Sequence, residues 1–274
     1  MIVFPNCKIN LGLRILRKRN DGYHDLETIF YPLPLYDILE IIRSTADNTG
    51  LSFSTSGSLL EGNNDNNLCV KAYNLLQLNY PTLPAAKIHL HKAIPSGAGL
   101  GGGSADAAFT LKLLNEKFDL QLTTDQLLDY ALKLGSDCPF FIINKPAFAE
   151  GKGEILETVP LELSAYKFVV VNPGIHNNTG KAFSGITPAL PTKSLKEIIS
   201  QTIDTWKSEL INDFEKTVFI QYPEIGAIKN KLYDGGAIYA SMSGSGSTVF
   251  GIFKKESVTN PDFPSHYYIK ELNG

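Results

Sequence analysis

The 274-residue chain is poor in sulfur, with three cysteines (Cys7, Cys69 and Cys138) and two methionines. An odd number of widely spaced cysteines, with no C-x-x-C pair, argues against a disulfide framework or zinc site and favours a reducing compartment. Charge of one sign is lacking too. Lys and Arg total 25 against 28 Asp and Glu, a formal net charge of −3, which leaves no electrostatic footprint for nucleic acid. No apolar run approaches the ~20 residues of a membrane-spanning helix. The first residues have no charged region, apolar core or small-residue cleavage site of a secretion signal, so a cytoplasmic location is expected. At 43% hydrophobic and 19% charged residues, the composition is that of a globular protein. Its length suits two modest domains or one large one.

Glycine is what the chain has. Five of the twelve residues from Pro95 to Asp106 are glycine: Pro95-Ser96-Gly97-Ala98-Gly99-Leu100-Gly101-Gly102-Gly103-Ser104-Ala105-Asp106. An alternating, strand-like Lys87–Lys92 precedes this run and an Ala- and Leu-rich helical segment, about 105–117, follows it. A strand, a glycine loop and a helix N-terminus cradle phosphate, because bare N–H groups and the positive helix end face the anion. The P-loop pattern is excluded, since no lysine accompanies Gly102-Gly103-Ser104. The spacing Gly97-x-Gly99-x-x-Gly102 fits a dinucleotide fingerprint, but neither Asp119 nor Asp125 ends a strand. A flexible linker would be polar on both sides, whereas this loop joins two apolar periodic segments.

Along the chain, Ile2–Leu16 reads as a strand pair broken near Asn10-Leu11-Gly12, and Asn20-Asp21-Gly22 as a tight turn. Strands are expected at 38–42, 51–54, 140–143, 147–150, 167–171, 237–242 and 248–253. A polar loop covers 63–67. Helices are expected at about 67–79 and 105–117, from Thr123 with a Thr123/Gln126 capping box to Gly135, and at about 193–202 and 210–221. Strands and helices mix without strict alternation, which favours α+β. A boundary near Thr158-Val159-Pro160 divides the chain into domains of 1–158 and 159–274.

Three further islands concentrate chemistry. Pro5–Leu11 embeds Lys8 in an apolar strand, either as a snorkelling edge residue or as a catalytic cation. Asp21–Leu26 gathers Tyr23, His24 and carboxylates in what is otherwise a turn. Gly135-Ser136-Asp137-Cys138-Pro139 is a helix stop, or a carboxylate held at the edge of a core. A basic cluster, Arg14, Arg17, Lys18 and Arg19, reads as a solvated turn or as help for an anionic substrate.

These islands together, with Ala147–Glu154 and Ser243-Gly244-Ser245-Gly246, resemble the 4-diphosphocytidyl-2-C-methyl-D-erythritol kinase family. That family lies within the galactokinase, homoserine kinase, mevalonate kinase and phosphomevalonate kinase superfamily. The resemblance runs from Pro5 to about Phe250. Cys7 departs from a more frequent alanine, and the match between Asn172 and Phe183 is loose. The resemblance implies a two-domain α+β fold, an N-terminal ribosomal protein S5 domain 2-like part and a ferredoxin-like C-terminal part, with the active site in the cleft between them.

It further implies ATP with Mg²⁺, and Asp137 taking the substrate's hydroxyl proton with Lys8 beside it. The loop Pro95–Ala105 would hold the ATP phosphates, with Ser104 offering a hydroxyl to phosphate or Mg²⁺. Asn67, Leu68 and Lys92 would lie near adenine. Asn10, Tyr23, His24 and Phe183 would face the cytidine diphosphate, with no protein side chain assigned as a metal ligand. The partner implied is a small molecule, with no nucleic acid or membrane, and a monomer or weak homodimer. Two alternatives stay open: a mevalonate or homoserine kinase, and a catalytically inactive nucleotide-binding relative.

Overall fold

The computed structural model describes residues 1–44, 50–58, 64–257 and 262–274. The strands β1 (Ile2–Val3), β2 (Asn6–Lys18), β3 (His24–Tyr36), β4 (Ile38–Arg43) and β5 (Leu51–Gly57) come first. After them come α1 (Leu68–Asn79), β6 (Ala86–Lys92), α2 (Gly102–Phe118), α3 (Thr124–Leu134) and α4 (Cys138–Ile143). The strands β7 (Ala147–Glu150), β8 (Ile155–Thr158) and β9 (Tyr166–Asn172) follow. The helices α5 (Thr179–Ser184), α6 (Leu195–Ile199), α7 (Trp206–Glu209), α8 (Glu215–Gln221) and α9 (Pro223–Asp234) precede β10 (Tyr239–Met242), β11 (Val249–Lys254) and β12 (Tyr268–Asn273).

The described residues form two compact units that interleave along the chain. The first comprises Met1–Cys7, Leu35–Ser96 and Gly101–Asn144. Its sheet has the order β1-β4-β6-β5, antiparallel except for the parallel β5–β6 pair. Alternate residues Leu39 and Ile41 of β4 and Ile88 and Leu90 of β6 are buried, the period-2 signature of a half-covered sheet. In the same unit α2 packs on α1, α3 and α4. Small Ala105, Ala107 and Ala108 are fully buried there, so neighbours can approach closely.

The second unit comprises Lys8–Pro34, Gly97–Leu100 and Lys145–Gly274. It holds two four-stranded sheets, β2-β3-β7-β8 and β10-β11-β9-β12. Leu13 and Ile15 share one core with Val169 and Val171 of β9, Val218 of α8, Ile225, Ile228 and Leu232 of α9, and Phe253 of β11. Mixed sheets and helices in two units make this an α+β protein.

Local chemistry explains most element ends. Asn67 caps α1 by accepting from Cys69 N at 2.9 Å, and the expected Thr123/Gln126 capping box opens α3. Gly22, at φ 86°, turns the chain between β2 and β3. Asn63, at the start of the expected polar loop, lies outside the described residues.

Several expectations need correction. Ile2–Leu16 breaks at Phe4-Pro5, between β1 and β2, and not near Asn10-Leu11-Gly12: β2 runs on through Gly12, which takes φ 69° inside the strand. Residues 140–143 are helical rather than a strand. Pro139 stands at the start of α4, where its fixed φ suits the helix, and Asn144 ends it in a left-handed conformation. Its apolar run is buried from Cys138 to Ile142, which hides the helical period. Strand β3 is absent from the expected strands, and it accommodates both Pro32 and Pro34. Helix α9 was unexpected as well, although Pro223 and the spacing of Ile225, Ile228 and Leu232 announce it.

Candidate active site

In the second unit, three islands distant in sequence meet around one carbonyl. The Lys8 side chain is buried on β2 and its Nζ donates to Asn10 Oδ1 at 2.6 Å and to Gly99 O at 3.1 Å. Ser243 Oγ donates to Gly99 O at 2.8 Å, and Asn10 Nδ2 donates to Thr28 Oγ1 at 2.9 Å. The Lys8 ammonium also lies 5.1 Å from the Phe30 ring centre. Lysine is buried only when paired, and this one is, so the edge-residue reading fails. Asn10, expected to face substrate, is buried and holds Lys8 in place.

The same contacts orient the glycine loop. Leu100 O accepts from Lys8 N at 2.9 Å and Ala98 O from Thr248 N at 3.2 Å. Carbonyls 98, 99 and 100 are thus all engaged. Across a trans peptide the following N–H points the opposite way, so the N–H groups of Gly99, Leu100 and Gly101 face away from those partners. Gly97, Gly99 and Gly101 take φ of 63°, 80° and 70°, while Ala98 and Leu100 are buried. A Cβ at Gly99 would sit 2.0 Å from Ser243 O, so only glycine fits there. Gly101 is the N-cap of α2, and Ser104 and Ala105 lie in that helix's first turns. Backbone donors before a helix N-terminus form an anion site.

In the first unit, Leu68 Cδ1 lies 3.9 Å from the Cβ position of Gly103, and Asn67 is spent on capping α1. Lys92 is buried, its ammonium bound by Asp37 and by Asp106 at 2.7 Å. Burial drives the Asp106 carboxyl up to about 7, against the pull of Lys92 and with the Asp37 charge adding to it. A raised carboxyl favours folding at low pH and loses that contribution as pH rises through its folded value. Measured against Asp106→Asn, the wild-type protein should therefore lose at least about 1 kcal/mol of relative stability between about pH 4 and pH 7. Paired denaturant titrations across that range check it, and a pH-independent difference would contradict it.

Asp137 belongs to the first unit and Lys8 to the second. Asp137 is the half-buried N-cap of α4, where a carboxylate is favoured by the helix dipole. Cys138 next to it is pushed up to about 12 by burial, and Cys69 is raised by burial as well. Neither thiol is a nucleophile at neutral pH.

His24 and Phe183 stack at 4.8 Å with planes 15° apart, and Phe183 meets Phe214 edge-on. Burial, with Lys18 adding to it, lowers the His24 imidazole. It is neutral at pH 7 and offers one donor and one acceptor. Tyr23 is 60% exposed at the turn, with Lys152 Nζ 4.8 Å from its ring centre. The basic cluster is largely neutralised, because Arg14 pairs with Glu27, Arg17 with Asp25, and Arg19 with Asp21 and Asp25.

Sequence reading missed the supporting residues. Ser243 was visible only as part of a Gly-Ser-Gly repeat, Asp37 carried no motif, and His176, whose Nδ1 lies 3.2 Å from the Cβ position of Gly97, sat in a loosely matching stretch.

Comparison with known proteins bears on this arrangement. The family model described as GHMP kinases N terminal domain matches residues 67–145, and GHMP kinases C terminal matches residues 192–260. The chain is 55% identical over 268 residues to 4-diphosphocytidyl-2-C-methyl-D-erythritol kinase of Bacteroides fragilis, covering 97% of each. It is 52% identical to that of Parabacteroides distasonis, covering 99% of this chain and 96% of the other. A crystal structure of 4-(cytidine 5'-diphospho)-2C-methyl-D-erythritol kinase superposes over 100% of both chains with TM-score 0.81 and 29% identity. With lysine strand, glycine loop and late Gly-Ser-Gly joined as above, the chain belongs to the 4-diphosphocytidyl-2-C-methyl-D-erythritol kinases of the GHMP kinase family.

Proposed function

We propose that the chain transfers the γ-phosphoryl of ATP to the 2-hydroxyl of 4-diphosphocytidyl-2-C-methyl-D-erythritol, a step of non-mevalonate isoprenoid precursor synthesis. The observation that carries this is the Lys8–Gly99–Ser243 network, which fastens a buried ammonium to a phosphate-binding loop, in a chain 55% identical to such a kinase. Phosphoryl transfer asks mainly for positioning and charge neutralisation. The backbone of Pro95–Ala105 receives the phosphates, Asn67, Leu68 and the Lys92 strand end serve the adenine side, and Asp137 accepts the hydroxyl proton while Lys8 offsets negative charge. Tyr23, His24 and Phe183 take the cytidine, and Asn10 acts through Lys8.

Mg²⁺ fits as a phosphate-borne ion. Among the described residues no group of three His, Cys, Asp or Glu could hold a metal, and Ser104 supplies a hard hydroxyl oxygen at the start of α2. When bound, the ion neutralises charge on the phosphates. No described helix is long and apolar enough to cross a membrane, and the net charge of −3 offers nothing to nucleic acid. The proposed reading is of a cytoplasmic small-molecule enzyme, monomeric or weakly dimeric. The family matches at 67–145 and 192–260 lie on either side of the proposed boundary between 1–158 and 159–274, although the compact units interleave across it.

Phosphorus NMR of the product tests the reading: a new phosphomonoester coupled to the tertiary C2 oxygen supports it, and phosphate on a primary hydroxyl overturns it. Tyr23→Ala should raise the KM for the cytidyl substrate by about ten- to a hundredfold, from loss of base stacking of roughly 1–3 kcal/mol, and leave the KM for ATP and kcat nearly unchanged. Equal loss for both substrates would indicate a folding defect, and no loss would place the cytidine elsewhere.

A further inference from the structure

In the first unit, where β6 ends before the glycine loop and α2 begins after it, lies an ionic cluster for which the transfer step has no direct use. Lys92 ends β6, Asp37 stands between β3 and β4, and Asp106 lies on α2. All three are buried, and both carboxylates accept from the one ammonium. Asp37 does more. Its Oδ1 accepts from Ala93 N at 2.6 Å and Ile94 N at 2.9 Å, the two peptides that lead into Pro95.

Lys92 Nζ lies 3.4 Å from the Cβ position of Gly102, the first residue of α2. Asp106 Oδ1 is buried without a hydrogen-bond partner, so this carboxylate is incompletely compensated. Cys69 of α1 also faces the cluster, its thiol kept neutral by burial. A buried ion triad contributes little net stability, because desolvation offsets attraction. Its placement is more informative than its energy. The chain entering the glycine loop and the helix leaving it are tied to one ammonium.

We propose that Asp37, Lys92 and Asp106 are positioning residues, an ionic clamp that holds the entry and exit of the glycine loop in register for the phosphates of ATP. This rests on the reading of Pro95–Ala105 as the phosphate site. Lys92 then serves the nucleotide through the loop. Held at one end only, the loop samples conformations in which its N–H groups no longer converge, and donor binding suffers while acceptor binding does not.

Asp106 is the member to remove, because Lys92 keeps Asp37 and no buried charge is stranded. Asp106→Ala should raise the KM for ATP about tenfold with the KM for the cytidyl substrate within about twofold, whereas Asp106→Asn, which still accepts from Lys92, should raise it only about threefold. Amide hydrogen exchange over residues 93–106 should accelerate in the same order, with α3 unchanged. If Asp106→Ala does not fold, the isosteric Asp106→Asn carries both readouts.

Unchanged KM for ATP and unchanged exchange in the folded variants, or a parallel rise in both KM values, would overturn the clamp. Gly101→Val separates this from the underlying reading. If it raises the KM for ATP and the Asp106 variants do not, the clamp alone falls; if neither does, the phosphate-site reading falls with it.

Discussion

Replacing Asp137 with asparagine is expected to lower turnover by about 10²–10⁴-fold while ATP still binds. Asparagine preserves the shape of the side chain and its place before α4. It cannot accept a proton at neutral pH, however, and it removes the negative charge that orients the attacking hydroxyl. The nucleotide loop carries no contribution from this side chain in the account above. The loss should therefore appear in kcat, with the ATP dissociation constant within about twofold of wild type. Steady-state kinetics paired with nucleotide titration measure both. Turnover near wild type would remove Asp137 from the proton transfer.

Gly101→Val should raise the KM for ATP by about tenfold or more. At φ 70° Gly101 occupies the left-handed region, which a β-branched residue enters only as a strained outlier. The roughly 1–2 kcal/mol that this costs per residue is relieved when the loop shifts, which moves backbone N–H groups off the phosphates at the start of α2. A branched side chain there also holds the anion away from the backbone. The cytidyl substrate's KM should change little. Unchanged nucleotide affinity in a folded variant would mean that the loop serves packing alone.

What the sequence disclosed depended on how local the cause was. The glycine loop was legible because its conformational demand, positive φ at Gly97, Gly99 and Gly101, is met residue by residue. The capping box at Thr123 and the turn at Gly22 are equally local. The pairing of His24 with Phe183 was approached only through resemblance, since 159 positions separate them, and the structure stacks them. Lys8 was singled out as a charge in an apolar strand, but its partner Gly99 stands 91 positions away, and Ser243, which shares the Gly99 carbonyl, stands 144 positions beyond that, out of reach of any periodicity.

Asn10 was placed by resemblance alone, and its structural part as a partner of Lys8 Nζ and Thr28 Oγ1 carried no sequence signal. Asp37 offered no sequence signal, because a lone aspartate between two strands is most simply a turn residue. Residues 140–143 read as a strand because Phe140, Phe141 and Ile142 are buried in succession, which hides the helical period.

A coupled ADP-release assay with 4-diphosphocytidyl-2-C-methyl-D-erythritol, mevalonate and homoserine as competing acceptors tests the central claim most directly. The account predicts ATP-dependent ADP release with the cytidyl compound and near-background release with the two smaller alcohols, which offer no base to the Tyr23-His24 turn. Comparable turnover of mevalonate or homoserine, or no release with the cytidyl compound, would contradict it.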